Sequence, residues 1–242
     1  IQDLSLVDRC LLIRQILDEN PTHYKGNSSA IKTSLVRLGS SFEISEDFYD
    51  WLDMKRRTLL KALKKPRNKD ILRGFSSWDS ISTEEQKHLL QKSSRLHIKT
   101  HMEGIASVMP FQHIFEEGTT VRTKGGINVV YGGFRASLNP NHGTIVNYTY
   151  NNKLQYNALD AFDTSHHEVT HFIQHHFAVS VFNGAISRKH PFFDESSYFL
   201  ALTTQKAYIP SIYGTAYRWQ PYEIMADREG GRISSGIQAL SL

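Results

Sequence analysis

Between residues 110 and 150 the chain changes texture, and this change limits the fold more than any other feature. Glycines cluster at Gly125-Gly126, Gly132-Gly133 and Gly143, between short β-branched and aromatic runs. Thr119–Thr123, Ile127–Tyr131, Phe134–Leu138 and Thr144–Tyr150 read as strands of a small, mostly antiparallel sheet. On both sides the periodicity is helical. Leu4, Val7, Leu11, Leu12 and Ile16 recur at helical spacing from Leu4 to Leu17, and Asn20-Pro21 ends that run. Ser45 to Leu63 predicts a second helix, stopped before Pro66. Ser82 with Glu85 three residues on is a capping box opening a third helix toward Met102. A helix from about Thr164 to Val181 follows the sheet, then a loop-rich stretch, then a last helix opening at Pro221. The expected class is therefore α+β, with a mainly helical part over residues 1–109 and a sheet-plus-helix part over 110–242, joined as one continuous domain.

Hydrophobic residues make up 40% and charged residues 21% of 242, which excludes intrinsic disorder as the default state. No run approaches the roughly 18 consecutive apolar residues of a membrane span. A single cysteine, Cys10, rules out an intramolecular disulfide, so an oxidising compartment is not required and secretion without disulfides stays open. Cys10 sits beside Leu11, Leu12 and Ile13, which reads as a buried thiol rather than a nucleophile. A chain that starts at Ile1 reads as part of a longer protein, with any targeting signal on the missing part.

Five of the twelve histidines fall between His166 and His176, and they include His167-Glu168-Val169-Thr170-His171. On a helix, residues four apart lie one above the other, so His167 and His171 can grip one zinc ion. Glu168 then projects beside the metal, where it can take a proton from a water whose pKa zinc lowers to about 7. Val169, Phe172, Ile173 and His176 form a face that can pack inward, separate from the stripe of His167, His171 and His175. Zinc needs a third protein ligand. The metzincin pattern is excluded because position 177 is Phe and position 174 is Gln. Glu223 in Pro221-Tyr222-Glu223-Ile224-Met225-Ala226-Asp227 is the expected third ligand, with Asp227 one turn on to fix a ligand histidine's tautomer.

His167-Glu168-x-x-His171 followed by Glu223-x-x-Ala226-Asp227 resembles the gluzincin metallopeptidases. The His167-to-Gln174 string is also similar to metallopeptidases associated with bacterial toxins and effectors. The resemblance covers roughly residues 160–230 and is strong at seven or eight positions; the 52 positions from His171 to Glu223 exceed the spacing in thermolysin. It implies a zincin-like fold, zinc, a glutamate general base and hydrolysis of a peptide bond in a protein or peptide, in a toxin or secreted-effector setting. It also implies a Tyr or His that stabilises the oxyanion. Tyr213 and Tyr217 are the nearest candidates, with Tyr208 and His190 also preceding Glu223. Thr144–Tyr150 is the expected edge strand for an extended substrate.

Three signals lie outside this motif. His97 and His101 are four apart but lack an adjacent glutamate, and Lys99 disfavours a cation there. His175 stands one turn past His171, where it can line a cleft. Residues 55–73 hold nine Lys or Arg and one acid, Asp70, against nineteen bases and twenty-three acids elsewhere, so the net charge of +4 originates here. That stretch suits an acidic partner or membrane-surface contact, but no interleaved aromatics signal nucleic-acid binding. It also carries the rival reading, a non-catalytic, metal-stabilised binding or sensor domain that works through 55–73.

Overall fold

The computed structural model describes residues 6–19, 44–105, 109–118, 120–123, 126–129, 131–138, 141–151, 153–154, 157–204, 208–209, 217–218 and 220–242. Among these the fold is α+β and mostly helical, with seven α-helices and five short strands. The helices are α1 (Leu6–Glu19), α2 (Glu46–Leu63), α3 (Lys69–Ser76), α4 (Thr83–Met102), α5 (Ala158–Phe182), α6 (Phe193–Thr204) and α7 (Pro221–Ser241). The strands are β1 (Phe111–Glu117), β2 (Thr120–Thr123), β3 (Gly126–Val129), β4 (Gly132–Leu138) and β5 (Asn141–Thr149).

Local chemistry explains several element ends. Ser82 caps α4 in a complete capping box with Glu85. Pro66 ends α2 and starts a single 3₁₀ turn, Pro66–Asn68, because its ring cannot continue the helix but fits a first helical position. The metal-motif helix α5 starts six residues earlier than its apolar pattern predicts. Asn157 provides the reason: its Oδ1 accepts from the Asp160 backbone N–H at 2.8 Å, and its Nδ2 donates to the Asp160 carboxylate at 2.7 Å. Two helices lie where the residue pattern suggested none. In α3 the residues Ile71, Gly74 and Phe75 are buried beneath the charge run. In α6, within the expected loop-rich stretch, Tyr198, Phe199, Ala201 and Leu202 are buried.

The sheet is mixed rather than mostly antiparallel. Its order is β1-β5-β4, with β1 parallel to β5 and β4 antiparallel to it; β2 and β3 form a separate antiparallel pair. Strand β1, not anticipated, is the parallel member. Parallel neighbours need a crossover connection, and residues 118–140, carrying β2, β3 and β4, supply it. The expected edge strand Thr144–Tyr150 is therefore corrected: it is β5, bonded on both sides, and cannot accept a further strand.

The chain divides into two compact units, each made of two segments. One comprises residues 1–49 and 177–225, the other 50–176 and 226–242. In the first, Phe48 packs edge-on against Phe177, Phe192 and Phe199 at 5.0–6.1 Å between ring centroids. The buried Glu195 carboxylate accepts from both the backbone N–H and the hydroxyl of Ser45. In the second unit the core joins Leu59 and Leu63 of α2, Ile71 and Phe75 of α3, Leu89 and Leu90 of α4, Phe162 of α5, and Ile233 and Ile237 of α7. Phe172 of α5 reaches the sheet, with its ring 5.3 Å from Phe111 and 6.3 Å from Phe134.

Candidate metal centre

Helix α5 brings His167, Glu168 and His171 together, with one ligand atom from each within 4.8 Å of the others. This is the one such group of three among the described residues. Its geometry follows from helix periodicity, since positions 167 and 171 stack on one face. The Nε2 atoms of the two imidazoles lie 3.0 Å apart.

The other ring nitrogens define what those Nε2 atoms are. His167 Nδ1 lies 3.0 Å from Asp227 Oδ1 on α7. A carboxylate only accepts, so Nδ1 carries the proton. His171 Nδ1 lies 2.7 Å from Gln174 Oε1, one turn along α5, and donates to it in the same way. With both Nδ1 atoms donating, the two Nε2 atoms are left facing each other. At 3.0 Å this contact requires a proton or a metal cation between the two nitrogens. Nitrogens bound at about 2.0–2.1 Å to one zinc ion lie within about 4.2 Å of each other, so the donor pair fits such an ion. Gln174 thus sets the His171 tautomer, as a carbonyl acceptor would for a histidine that held a metal.

Two glycines keep this face tight. A Cβ at Gly230 on α7 would fall 2.6 Å from Asp163 Oδ1, 2.8 Å from the Asp163 carbonyl oxygen and 3.1 Å from the His167 nitrogen. Backbone atoms cannot yield, so glycine here allows α7 to lie against α5 and carry Asp227 to His167. A Cβ at Gly132, the first residue of β4, would fall 2.6 Å from Thr164 Cγ2, 2.8 Å from Glu168 Oε1 and 2.9 Å from Glu168 Cγ. The strand backbone thus runs directly beside the carboxylate expected to act as base. Asp163, one turn before His167, has its carboxyl pushed up, first by burial and then by Asp227 and Asp160, while His167 opposes the shift.

His166 faces away from the centre. Its Nε2 lies 3.0 Å from Ser93 Oγ and its Nδ1 3.0 Å from His97 Nδ1, while Ser94 and Ser165 meet at 3.0 Å. This buried polar seam joins α4 to α5. His97 and His101, an i, i+4 pair on α4, are both fully buried in it, and among the described residues they do not form a three-residue metal group. His101 Nδ1 donates to the His97 carbonyl at 3.1 Å. Burial pushes His101 and His166 down to about 3, and His97 well below the usual histidine range. His175 is buried with its ring 5.7 Å from that of Phe134, outside the metal group. Behind α7, Arg56 binds Glu229 at 2.9 Å and Asp53 at 2.8 Å, and Arg232 also donates to Asp53.

Glu223 belongs to the other compact unit and is buried there. The Tyr208 hydroxyl donates to its Oε1 at 3.1 Å. The Tyr208 ring lies 6.1 Å from Tyr217 and 5.9 Å from Tyr222, and burial pushes its hydroxyl far up. Tyr208 thus addresses a carboxylate, a role that composition did not reveal. Tyr217 packs against it, His190 Nδ1 accepts from the Phe192 backbone N–H at 3.1 Å, and Tyr213 lies outside the described residues.

No family model, curated protein or solved structure matches this chain.

Proposed function

We propose that this protein is a zinc-dependent metallopeptidase of the gluzincin type, built on a zincin-like arrangement. His167 and His171 would hold the ion through Nε2, and Glu223 would be the third ligand. Support for Glu223 comes from its residue type and from its place on α7 one turn before Asp227, which orients His167. The observation that carries the reading is the pair of Nε2 atoms facing each other at 3.0 Å, each ring donating through Nδ1 to a separate acceptor.

Zinc held there supplies Lewis acidity that lets water ionise near neutral pH and polarises a carbonyl. Glu168 accepts the proton from the attacking water and delivers it to the departing amine nitrogen as the peptide C–N bond breaks. An extended substrate would pair with β4, an edge strand of the three-stranded sheet. The bond between the Tyr148 N–H and the Tyr131 carbonyl at 2.9 Å sets the ladder so that the Gly132 amide and carbonyl point away from β5. Those groups are next to Glu168, which would bring a bound peptide backbone to the base.

The test compares wild type with Glu168→Gln for metal content and for cleavage of a proteome-derived peptide library. Wild type should bind about one zinc per chain and cut peptides; the variant should keep zinc and lose cleavage. A wild-type chain that neither contains zinc nor takes it up would remove the metal reading. Zinc binding without cleavage by either protein would leave a metal-stabilised binding domain instead.

A further inference from the structure

The basic stretch plays no part in the metal centre, and the structure sorts its nine cations into used and unused. Lys55 Nζ donates to the Glu103 carbonyl at 2.7 Å and lies over the Trp51 ring. Arg56 is committed to Asp53 and Glu229. Asp70, the single acid, is taken by Lys92 of α4, which also donates to the Arg67 carbonyl at 2.7 Å. Lys61, Lys64, Lys65, Arg67, Lys69 and Arg73 remain, all exposed, with no acidic partner among the described residues. They are concentrated on one corner, formed by the last turn of α2, the Pro66–Asn68 turn and α3. Arg57, also exposed and with no acidic partner among the described residues, extends the patch back along α2.

Solvation of a helix face does not account for this arrangement. A solvated basic face normally carries acids at i+3 or i+4, and no Asp or Glu occurs from residue 54 to residue 69. The negative end of the α2 dipole offsets Lys61, Lys64 and Lys65, but Lys69 begins α3, where the dipole repels a cation. The mutual repulsion is only partly offset within the protein, and an external polyanion would relieve the rest.

This corner offers no ring on which a base could stack and no amide to read adenine. The stretch exposes no aromatic ring, and Asn68 is buried with its Nδ2 donating to the Ala62 carbonyl at 2.8 Å. It does expose an apolar side chain. Met54 is 52% accessible and shares one α2 stripe with Arg57 and Lys61, at spacings of three and seven. A methionine set among ammonium groups suits the boundary between lipid headgroups and acyl chains. The rest of the chain is net acidic, which turns this corner toward a negative surface. No described helix is long and apolar enough to cross a membrane, so the contact is peripheral.

We propose that the α2–α3 corner docks this protein on an anionic lipid bilayer, with Lys61, Lys64, Lys65, Arg67, Lys69 and Arg73 on headgroup phosphates and Met54 at the acyl boundary. The whole chain would be sedimented with vesicles of pure phosphatidylcholine, or of phosphatidylcholine containing phosphatidylserine, in about 0.1 M and 0.5 M salt. Binding should require phosphatidylserine and vanish at the higher salt, where charges are screened within a few ångströms. Each lysine near an anionic surface is worth about fivefold in affinity, so Lys61→Gln/Lys64→Gln/Lys65→Gln should bind roughly 100-fold more weakly. Circular dichroism and thermal melting of the triple variant should match wild type, because all three side chains are exposed. Equal binding to both vesicle types overturns the proposal, as does undiminished binding by a folded triple variant. Preference for duplex DNA over phosphatidylserine vesicles at equal charge also overturns it, by making the partner a nucleic acid.

Discussion

His167 donates its Nδ1 proton to Asp227 at 3.0 Å, from α5 to α7. That contact holds the proton of His167 on Nδ1 and turns Nε2 toward His171, and Gln174 does the same for His171. The two supporting partners differ in environment. Asp227 is 63% accessible, whereas Gln174 is fully buried.

Asp227→Ala should weaken zinc binding about tenfold, the low end for such supporting groups because water can replace an exposed carboxylate. Asp227→Asn retains an acceptor oxygen and should stay within about threefold of wild type. Competition with a zinc chelator measures both. Equal affinity for all three proteins would show that Asp227 does not orient the ligand.

Gln174→Leu removes a buried acceptor that water cannot replace. Zinc affinity should fall between about 10-fold and 100-fold. The histidine tautomer gives an independent readout: nitrogen NMR of the zinc-free protein should show His171 protonated at Nδ1 in wild type and mixed in the variant. An unchanged tautomer would disprove the assignment.

Gly132→Ala puts a methyl group against Thr164 and Glu168. Overpacking of this kind costs about 1–3 kcal/mol of stability. Peptide cleavage should fall at least tenfold while zinc affinity holds within about threefold, because neither histidine is touched. Cleavage at the wild-type rate would mean that β4 does not constrain Glu168.

The buried histidines should make the fold acid-sensitive. His101 is held at about 3 in the folded state, chiefly by burial, against about 6.5 when unfolded. Between those values the unfolded chain binds the extra proton, so stability rises with pH and is lost as pH falls from about 6.5 toward 3. His101→Leu should reduce the slope of unfolding free energy against pH, between pH 4.5 and 6, by up to about 1.4 kcal/mol per pH unit. Urea titrations across that range measure it, and parallel slopes would exclude His101 as a contributor.

Some of this structure is read from neighbouring residues alone. The Ser82–Glu85 capping box, the stop at Pro66, the start at Pro221 and the shared face of His167 and His171 all depend on residues three or four apart, so local spacing contains them. The Asn157–Asp160 cap was equally local and marks the true start of α5, outside the apolar pattern. The alternation of Phe111, His113 and Phe115 is the local signal for β1, but not for its parallel partner.

Residue spacing by itself determined an α+β chain, a histidine-bearing helix with Glu168 beside the His167–His171 pair, and a basic stretch separate from it. Only the tertiary structure decided that His166 turns to α4 while His167 turns to Asp227, that β5 is central and β4 an edge, that Gly132 abuts Glu168, and which cations lack partners. Helix periodicity places side chains around an axis through contacts within one turn. The roll of that axis, the order of strands and the pairing of charges depend on packing between segments tens of residues apart, and no local spacing carries that information.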